Sequence, residues 1–155
     1  RVAARSRSRP RSGTVIVPES GAGLLDTSTL ILLQRIEDPT LLPAIPLISA
    51  VTLAELSVGP LVANDERERA SRLALLQQVE SDFSPLPFDD AAARCFGRVA
   101  ASLRRAKRKP AARAYDALIA AIAMANELPV YTVNPRDFEG IDDLLVVAIP
   151  HPDRT

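Results

Sequence analysis

Hydrophobic positions along the chain fall into two kinds of segment, short apolar runs and longer stretches with helical spacing. Within residues 65–82, Leu73, Leu76 and Val79 recur three positions apart, which is typical of an amphipathic helix. The short runs lack the polar alternation of half-exposed strands, so they predict strands that are buried on both faces. They occupy residues 24–25, 47–48, 130–133 and 144–149, with a brief extended piece at 85–87.

Capping residues and prolines set the expected bounds of the helices between these strands. A helix is expected to begin after Ser, Thr or Asp and to end before Gly or Pro. The predicted helices cover about residues 27–36, 49–58, 65–82, 90–109 and 113–127, and Pro110 separates the last two. Strands that alternate with helices predict an α/β protein, a three-layer α/β/α sandwich around a central, mainly parallel sheet.

Composition then narrows the chemistry that the chain can perform. A chain of 155 residues with 47% hydrophobic positions has the size and the core of one domain. One Cys and one His exclude an internal disulfide, a Cys-based zinc site and a His-rich metal site. A Ser-His-Asp hydrolase would depend on His151, which makes that class unfavourable. Any metal site would therefore be built from oxygen ligands.

The net charge of +0 hides an asymmetry along the chain. Residues 1–13 carry five Arg and no acid, which leaves 14 basic and 19 acidic side chains in the rest. We expect a flexible basic arm over residues 1–20, one domain over 21–150 and a short tail over 151–155. No apolar run approaches the ~20 residues of a membrane span, and no secretory signal is visible. The expected compartment is the cytoplasm, with no membrane partner.

Acidic residues recur where parallel α/β sheets form their ligand sites, at the carboxyl ends of strands. Asp26 directly follows the first predicted strand, while Asn134 follows a later one, with Asp137 three residues on. Glu55 lies in the helix after the second strand, and Asp116 begins a strongly apolar helix. Each acid alone is also compatible with a helix cap or a solvated surface group. The joint pattern favours a site.

A group of carboxylates at one edge of a sheet favours a hard divalent cation. Neighbouring carboxylates repel one another, and some would be protonated without a cation. Mg²⁺ or Mn²⁺ takes oxygen ligands and retains several waters, and it can assist phosphodiester cleavage. We therefore predict that Mg²⁺ or Mn²⁺ binds at Asp26 and Asp116, with Glu55 contributing directly or through water.

A basic run within ten residues has two interpretations. One is a solvated helix end, favoured by the helix dipole. The other is a track that leads the phosphates of RNA to the acids. Because aromatic residues make up only 4% of the chain, RNA binding would rely on phosphate contacts. The run consists of Arg104, Arg105, Lys107, Arg108, Lys109 and Arg113.

Three blocks of sequence stand out by their order and spacing. They are LLDTSTLI at 24–31, TLAEL at 52–56 and RAYDALIAAIAMANELPVYTVNPRDFEGI at 113–141. Together they resemble the PIN-domain ribonucleases, and in particular the VapC toxins of bacterial toxin–antitoxin pairs. The resemblance implies a PIN-like nuclease domain over residues 21–150 and a metal-dependent endoribonuclease that acts on RNA. It also implies a cognate VapB-like antitoxin as inhibitor and a homodimeric assembly.

The resemblance also assigns roles to individual residues. Asp26, Glu55 and Asp116 match the first three acids of the PIN-domain family. The fourth acidic position holds Asn134, which offers a carbonyl oxygen but no charge, so Asp137 is expected to supply the remaining catalytic carboxylate. Ser28 and Thr132 match small hydroxyl positions near the family's site, where they would orient acids or waters. Alternatively, they are simply a helix-cap residue and a strand residue.

Two functions of different classes remain open at this point. One is the metal-dependent endoribonuclease toxin, which the three retained acids favour. The other is a catalytically weak PIN-fold module that binds RNA or a partner, which Asn134 favours. A phosphoacceptor receiver domain also places acids at strand ends. It is unfavourable because the first strand lacks paired acids and the only lysines are Lys107 and Lys109.

Overall fold

A parallel sheet lies at the centre of the computed structural model, which describes residues 21–154. The predicted arm at residues 1–20 lies outside the described residues. The sheet has the strand order β2-β1-β3-β4, and neighbouring strands are parallel throughout. Its strands are β1 (Ala22–Leu25), β2 (Ile45–Leu47), β3 (Val130–Thr132) and β4 (Val146–Ala148). The carboxyl ends of the two central strands, β1 and β3, therefore lie side by side.

Five α-helices within residues 21–154 connect and cover these strands. They are α1 (Thr27–Ile31), α2 (Ala50–Val58), α3 (Glu66–Asp82), α4 (Asp90–Arg105) and α5 (Ala114–Ala125). The first four begin at side-chain caps that accept a backbone hydrogen bond: Asp26, Ser49, Asp65 and Asp89. Short 3₁₀ turns include Pro110–Arg113 and Pro135–Phe138. No helix in this part of the chain is long and apolar enough to cross a bilayer.

Side-chain alternation along the central strands fills two separate hydrophobic cores. Leu24 and Val130 pack into one core with α4 and α5. The next residue on each strand, Leu25 and Tyr131, packs into the other core, which contains Val79 of α3. The sheet is therefore covered on both faces, and the predicted α/β/α sandwich is confirmed.

Close packing of β1 against β3 leaves no room for a side chain at Gly23. A Cβ atom at this position would lie 2.4 Å from the ring of Tyr131. Because the ring belongs to the core, it cannot move aside as a flexible surface side chain could. This close approach accounts for a glycine in the middle of the strand that carries Asp26 at its end.

Three helices, α4, α5 and α1, end earlier than the sequence predicts. The prediction for α4 extended to about Lys109, but the helix ends at Arg105 and Lys107 has a left-handed φ of 57°. The backbone N–H of Arg108 donates to the carbonyl of Leu103 (2.8 Å), as in a Schellman motif. The end of α5 is closed in the same way, with Glu127 at a φ of 54°. The prediction for α1 is also too long, because a 3₁₀ turn replaces its second half.

Candidate active site

Asp26 lies at the carboxyl end of β1 and is only 2% exposed. Its Oδ1 accepts a hydrogen bond from the backbone N–H of Thr29 (3.1 Å), which caps α1. Its Oδ2 accepts from the hydroxyl of Thr132 (2.6 Å) and from that of Ser28 (3.2 Å). Three donors thus hold one buried carboxylate in a fixed orientation. Ser28 and Thr132 are therefore both direct hydrogen-bond partners of Asp26.

Asn134 joins the same network from the end of β3. Its backbone N–H donates to the hydroxyl of Thr132 (2.9 Å), and its Nδ2 donates to the hydroxyl of Ser28 (3.2 Å). Each hydroxyl that accepts from Asn134 donates in turn to Asp26. Asn134 therefore positions the two hydroxyl groups beside Asp26, while its side-chain oxygen has no hydrogen bond to residues in the described part of the chain.

Glu55 is positioned by Thr27, whose role the sequence did not reveal. The hydroxyl of Thr27 donates to Oε1 of Glu55 (2.7 Å) and lies 3.0 Å from the hydroxyl of Thr52. The pKa of Glu55 is raised overall, mainly because the side chain is partly buried. The hydrogen bond from Thr27 opposes this shift, and the charge of Asp26 adds to it. Thr27 lies directly after Asp26 in the sequence, and this is the one signal that could have suggested a part in the site.

Asp116 lies in the first turn of α5, and the pKa of its carboxyl group is strongly raised. Partial burial, followed by the charges of Asp137, Asp26 and Glu55, raises its pKa to about 6. The nearby guanidinium of Arg113 opposes this shift. Each of the other three predicted acids therefore lies within electrostatic reach of Asp116.

Asp137 stands apart from the other acids because it forms an ion pair. Its Oδ1 accepts from the guanidinium of Arg113 (2.7 Å), and both side chains are about one-third exposed. The 3₁₀ turn Pro135–Phe138 brings Asp137 to the site, and Arg113 precedes α5. Arg113 thus links the segment that carries Asp116 to the segment that carries Asp137.

The basic run does not form an uninterrupted row of free cations. The chain turns at Lys107, and half of the run is ion-paired with acids of the segment after β3. Arg105 pairs with Asp142 (2.8 Å), Arg108 with Glu139, and Arg113 with Asp137. Arg104, Lys107 and Lys109 form no ion pair with residues 21–154. The interpretation of the whole run as a phosphate track stays a prediction, and its charge is reduced by these pairs.

The donor set of the site fits a hard divalent cation. Asp26, Glu55, Asp116 and Asp137 all offer carboxylate oxygens. Their charges help to raise the pKa of Asp116, and a bound cation would relieve this repulsion. Within residues 21–154, no group of three or more Asp, Glu, His or Cys side chains is arranged to hold one ion. Mg²⁺ is commonly bound by one or two carboxylates together with waters, so the site does not need a group of three.

Fold and site together define a class of protein, the PIN domains. The sequence model of the PIN domain family matches residues 24–144. Ribonuclease VapC5 of Mycobacterium tuberculosis is 42% identical over 130 residues, which are 83% of this chain and 93% of that protein. Ribonuclease VapC of Rickettsia bellii is 32% identical over 106 residues, 68% of this chain and 78% of that protein.

Solved structures give the same picture. The crystal structure of VapBC-5 from M. tuberculosis, a member of the VapBC family of toxin–antitoxin systems, matches with a TM-score of 0.72 at 37% identity. The match covers 83% of this chain and 99% of that chain. DNA-bound VapBC from Salmonella typhimurium matches with a TM-score of 0.62 at 28% identity, over 81% of this chain and 96% of that one. The chain therefore belongs to the PIN domain family and, within it, to the VapC ribonuclease toxins of VapBC toxin–antitoxin systems.

Proposed function

We propose that the protein is an Mg²⁺- or Mn²⁺-dependent endoribonuclease that cleaves RNA phosphodiester bonds at the acid site. The observation that carries this proposal is the convergence of Asp26, Glu55 and Asp116, with Asp137 near enough to act on the pKa of Asp116. An acid with a pKa of about 6 is costly for the fold, and such costs concentrate at functional sites. The family membership of the chain supports the same activity.

The residues of the site divide the work by their surroundings. Asp26 and Asp116 are proposed to hold the cation, and Glu55 binds it directly or through water. The bound cation would supply an activated water and neutralise charge on the phosphoryl oxygens. Thr132 and Ser28 keep Asp26 oriented, and Thr27 does the same for Glu55. Above pH 6 Asp116 is mostly ionised and available as a ligand.

The fourth acidic position is proposed to be filled by Asp137 rather than Asn134. The side chain of Asn134 is used to position hydroxyl groups beside Asp26, so its contribution is structural. Asp137 carries a charge that acts on Asp116, and Arg113 restrains it. Its carboxylate can orient a water or a ligand of the cation while it remains bonded to Arg113.

The partner proposed for this chain is a cognate VapB-like antitoxin. Several relatives were crystallised as toxin–antitoxin complexes. A basic segment of the antitoxin that inserts among the four acids would both inhibit the enzyme and relieve their repulsion. We also propose that the protein forms a homodimer. Because the proposed substrate is RNA, we propose that it acts in the cytoplasm.

Cleavage by variants of two of the acids, Asp116 and Glu55, tests the proposed activity. Asp116→Asn and Glu55→Gln should each lower the cleavage rate of total RNA at fixed Mg²⁺ by about 100-fold or more. Glu80→Gln, which changes an exposed acid of α3, is the matched control and should cleave like the wild type. Full activity of Asp116→Asn would refute the site. RNA binding by the wild type without metal-dependent cleavage would support the alternative, a non-catalytic binding module.

A further inference from the structure

A groove of about 520 Å³ opens beside the acid site, on the side of β3. Two of its lining residues, Asn134 and Asp137, also belong to the site. Because these residues are shared, the groove continues the surface on which the RNA strand would lie. Its lining consists of Val133, Asn134, Pro135, Arg136, Asp137 and Arg154.

Two exposed arginines line this groove, Arg136 from the 3₁₀ turn after β3 and Arg154 from the last described turn. Among residues 21–154, neither guanidinium forms an ion pair or a side-chain hydrogen bond. The arginines at 105, 108 and 113, by contrast, are already paired with acids. The groove thus offers free positive charge directly beside the candidate site.

The segment that carries Arg154 is tied back onto the domain. The backbone N–H of Ile149 donates to the carbonyl of Thr132 (2.8 Å), next to the acid site. Asp153 forms an ion pair with Arg35 and donates its backbone N–H to Nδ1 of His151 (3.1 Å). These contacts hold the backbone at Arg154 over the groove while its side chain stays accessible.

We propose that Arg136 and Arg154 form a phosphate-binding subsite for single-stranded RNA, next to the bond that is cleaved. This inference rests on the proposed ribonuclease function and names how the substrate is held. The phosphates of an RNA strand that reaches the four carboxylates are repelled by them. The guanidinium of Arg113 lies at the site but is already paired with Asp137. Guanidinium groups bind phosphate oxygens in a bidentate manner, so two of them on the flank would offset that repulsion.

The chemistry of the groove favours phosphate over other ligands. None of its lining residues is aromatic, so it offers no ring for base stacking. An acidic peptide would also meet the two arginines, but it would be repelled by the neighbouring carboxylates. An RNA backbone has a compensating interaction, because its phosphate oxygens can bind the Mg²⁺ or Mn²⁺ proposed for that site.

Salt-dependent RNA binding tests the subsite. Labelled single-stranded RNA is titrated against Asp116→Asn protein in EDTA, so that sodium is the main competing cation. Arg136→Gln and Arg154→Gln should each weaken binding about threefold to tenfold and lower the slope of log K against log salt by about 0.7. Arg136→Lys should keep the slope but bind more weakly. Arg67→Gln, an exposed arginine of α3, is the matched charge control.

Cleavage by the same variants in the active background separates this inference from the proposed function. With Mg²⁺, the double variant Arg136→Gln/Arg154→Gln should raise KM and leave kcat close to that of the wild type. If the wild type cleaves and the double variant has the KM and salt slope of Arg67→Gln, the subsite is refuted and the ribonuclease stands. If the wild type does not cleave, the function fails. Loss of antitoxin binding with unchanged RNA binding would also overturn the subsite, because the groove would then serve a protein.

Discussion

Replacing Asp116 by Asn should stabilise the metal-free protein at neutral pH while it removes activity. Burial and neighbouring carboxylates raise the pKa of Asp116 from 3.8 to about 6, so its ionised form opposes folding. A shift of two pKa units corresponds to about 3 kcal/mol at full effect. Asp116 is only partly buried and water screens part of this interaction, so we expect about 1–2 kcal/mol. Asn keeps the shape of the protonated acid without its charge.

The pH dependence gives this prediction its sign. Above pH 6, Asp116 is ionised in both the folded and the unfolded chain, and the full cost is present. Between about pH 6 and pH 4 the folded chain binds the proton first, so this group stabilises the wild type as the pH falls. The advantage of Asp116→Asn should therefore be largest above pH 6 and fade toward pH 4.

Thermal unfolding in EDTA measures the effect. Near pH 7.5 the Tm of Asp116→Asn should exceed that of the wild type by about 3–6 °C, and added Mn²⁺ should stabilise the wild type alone. Glu80→Gln should unfold like the wild type at every pH. A Tm difference that is absent at pH 7.5, or that does not change between pH 4 and pH 8, would refute the electrostatic reasoning.

The remaining predictions concern Arg113, the fourth acidic position and the end of α5. Arg113→Gln should raise the pKa of Asp116 further and move the pH midpoint of Mn²⁺ binding upward, whereas Arg104→Gln should not. Asp137→Ala should lose more cleavage activity than Asn134→Ala, and the reverse order would make Asn134 the ligand. Glu127→Gly should raise the free energy of unfolding by about 0.5–1 kcal/mol in chemical denaturation, because glycine accepts the left-handed backbone there. Glu80→Gly, at a helical position in the last turn of α3, should lower it by about 0.5–1 kcal/mol.

The sequence predicted the layers of the fold better than the ends of its helices. Buried strands are recognisable in the sequence as short apolar runs. The two cores follow because successive side chains along β1 and β3 point to opposite faces of the sheet. The end of α4 carries no comparable signal, because Lys107 occupies a left-handed position that glycine usually fills. A helix stop at Pro110 was therefore the natural but wrong expectation.

The acids of the site were predictable because their positions relative to strands and helix starts are local features. Their partners were not, since they depend on how distant segments pack. Thr27 reaches Glu55 only because α1 lies against α2, and Arg105 meets Asp142 only because the chain returns past α4. The catalytic roles of Asp26, Glu55, Asp116 and Asp137 stay predictions until the variants are assayed.

The long sequence separation within the acid site has a consequence during translation. Thr132, which donates to the carboxylate of Asp26, is made 106 residues after it. β1 gains its neighbour β3 only at that late stage. A nascent chain that stops before Asp116 carries Asp26 and Glu55 without Asp116, Thr132 and Asn134, which complete the site around them. Synthesis that is interrupted before β3 therefore releases fragments that lack the assembled site, so RNA cleavage has to await chains that extend through β3.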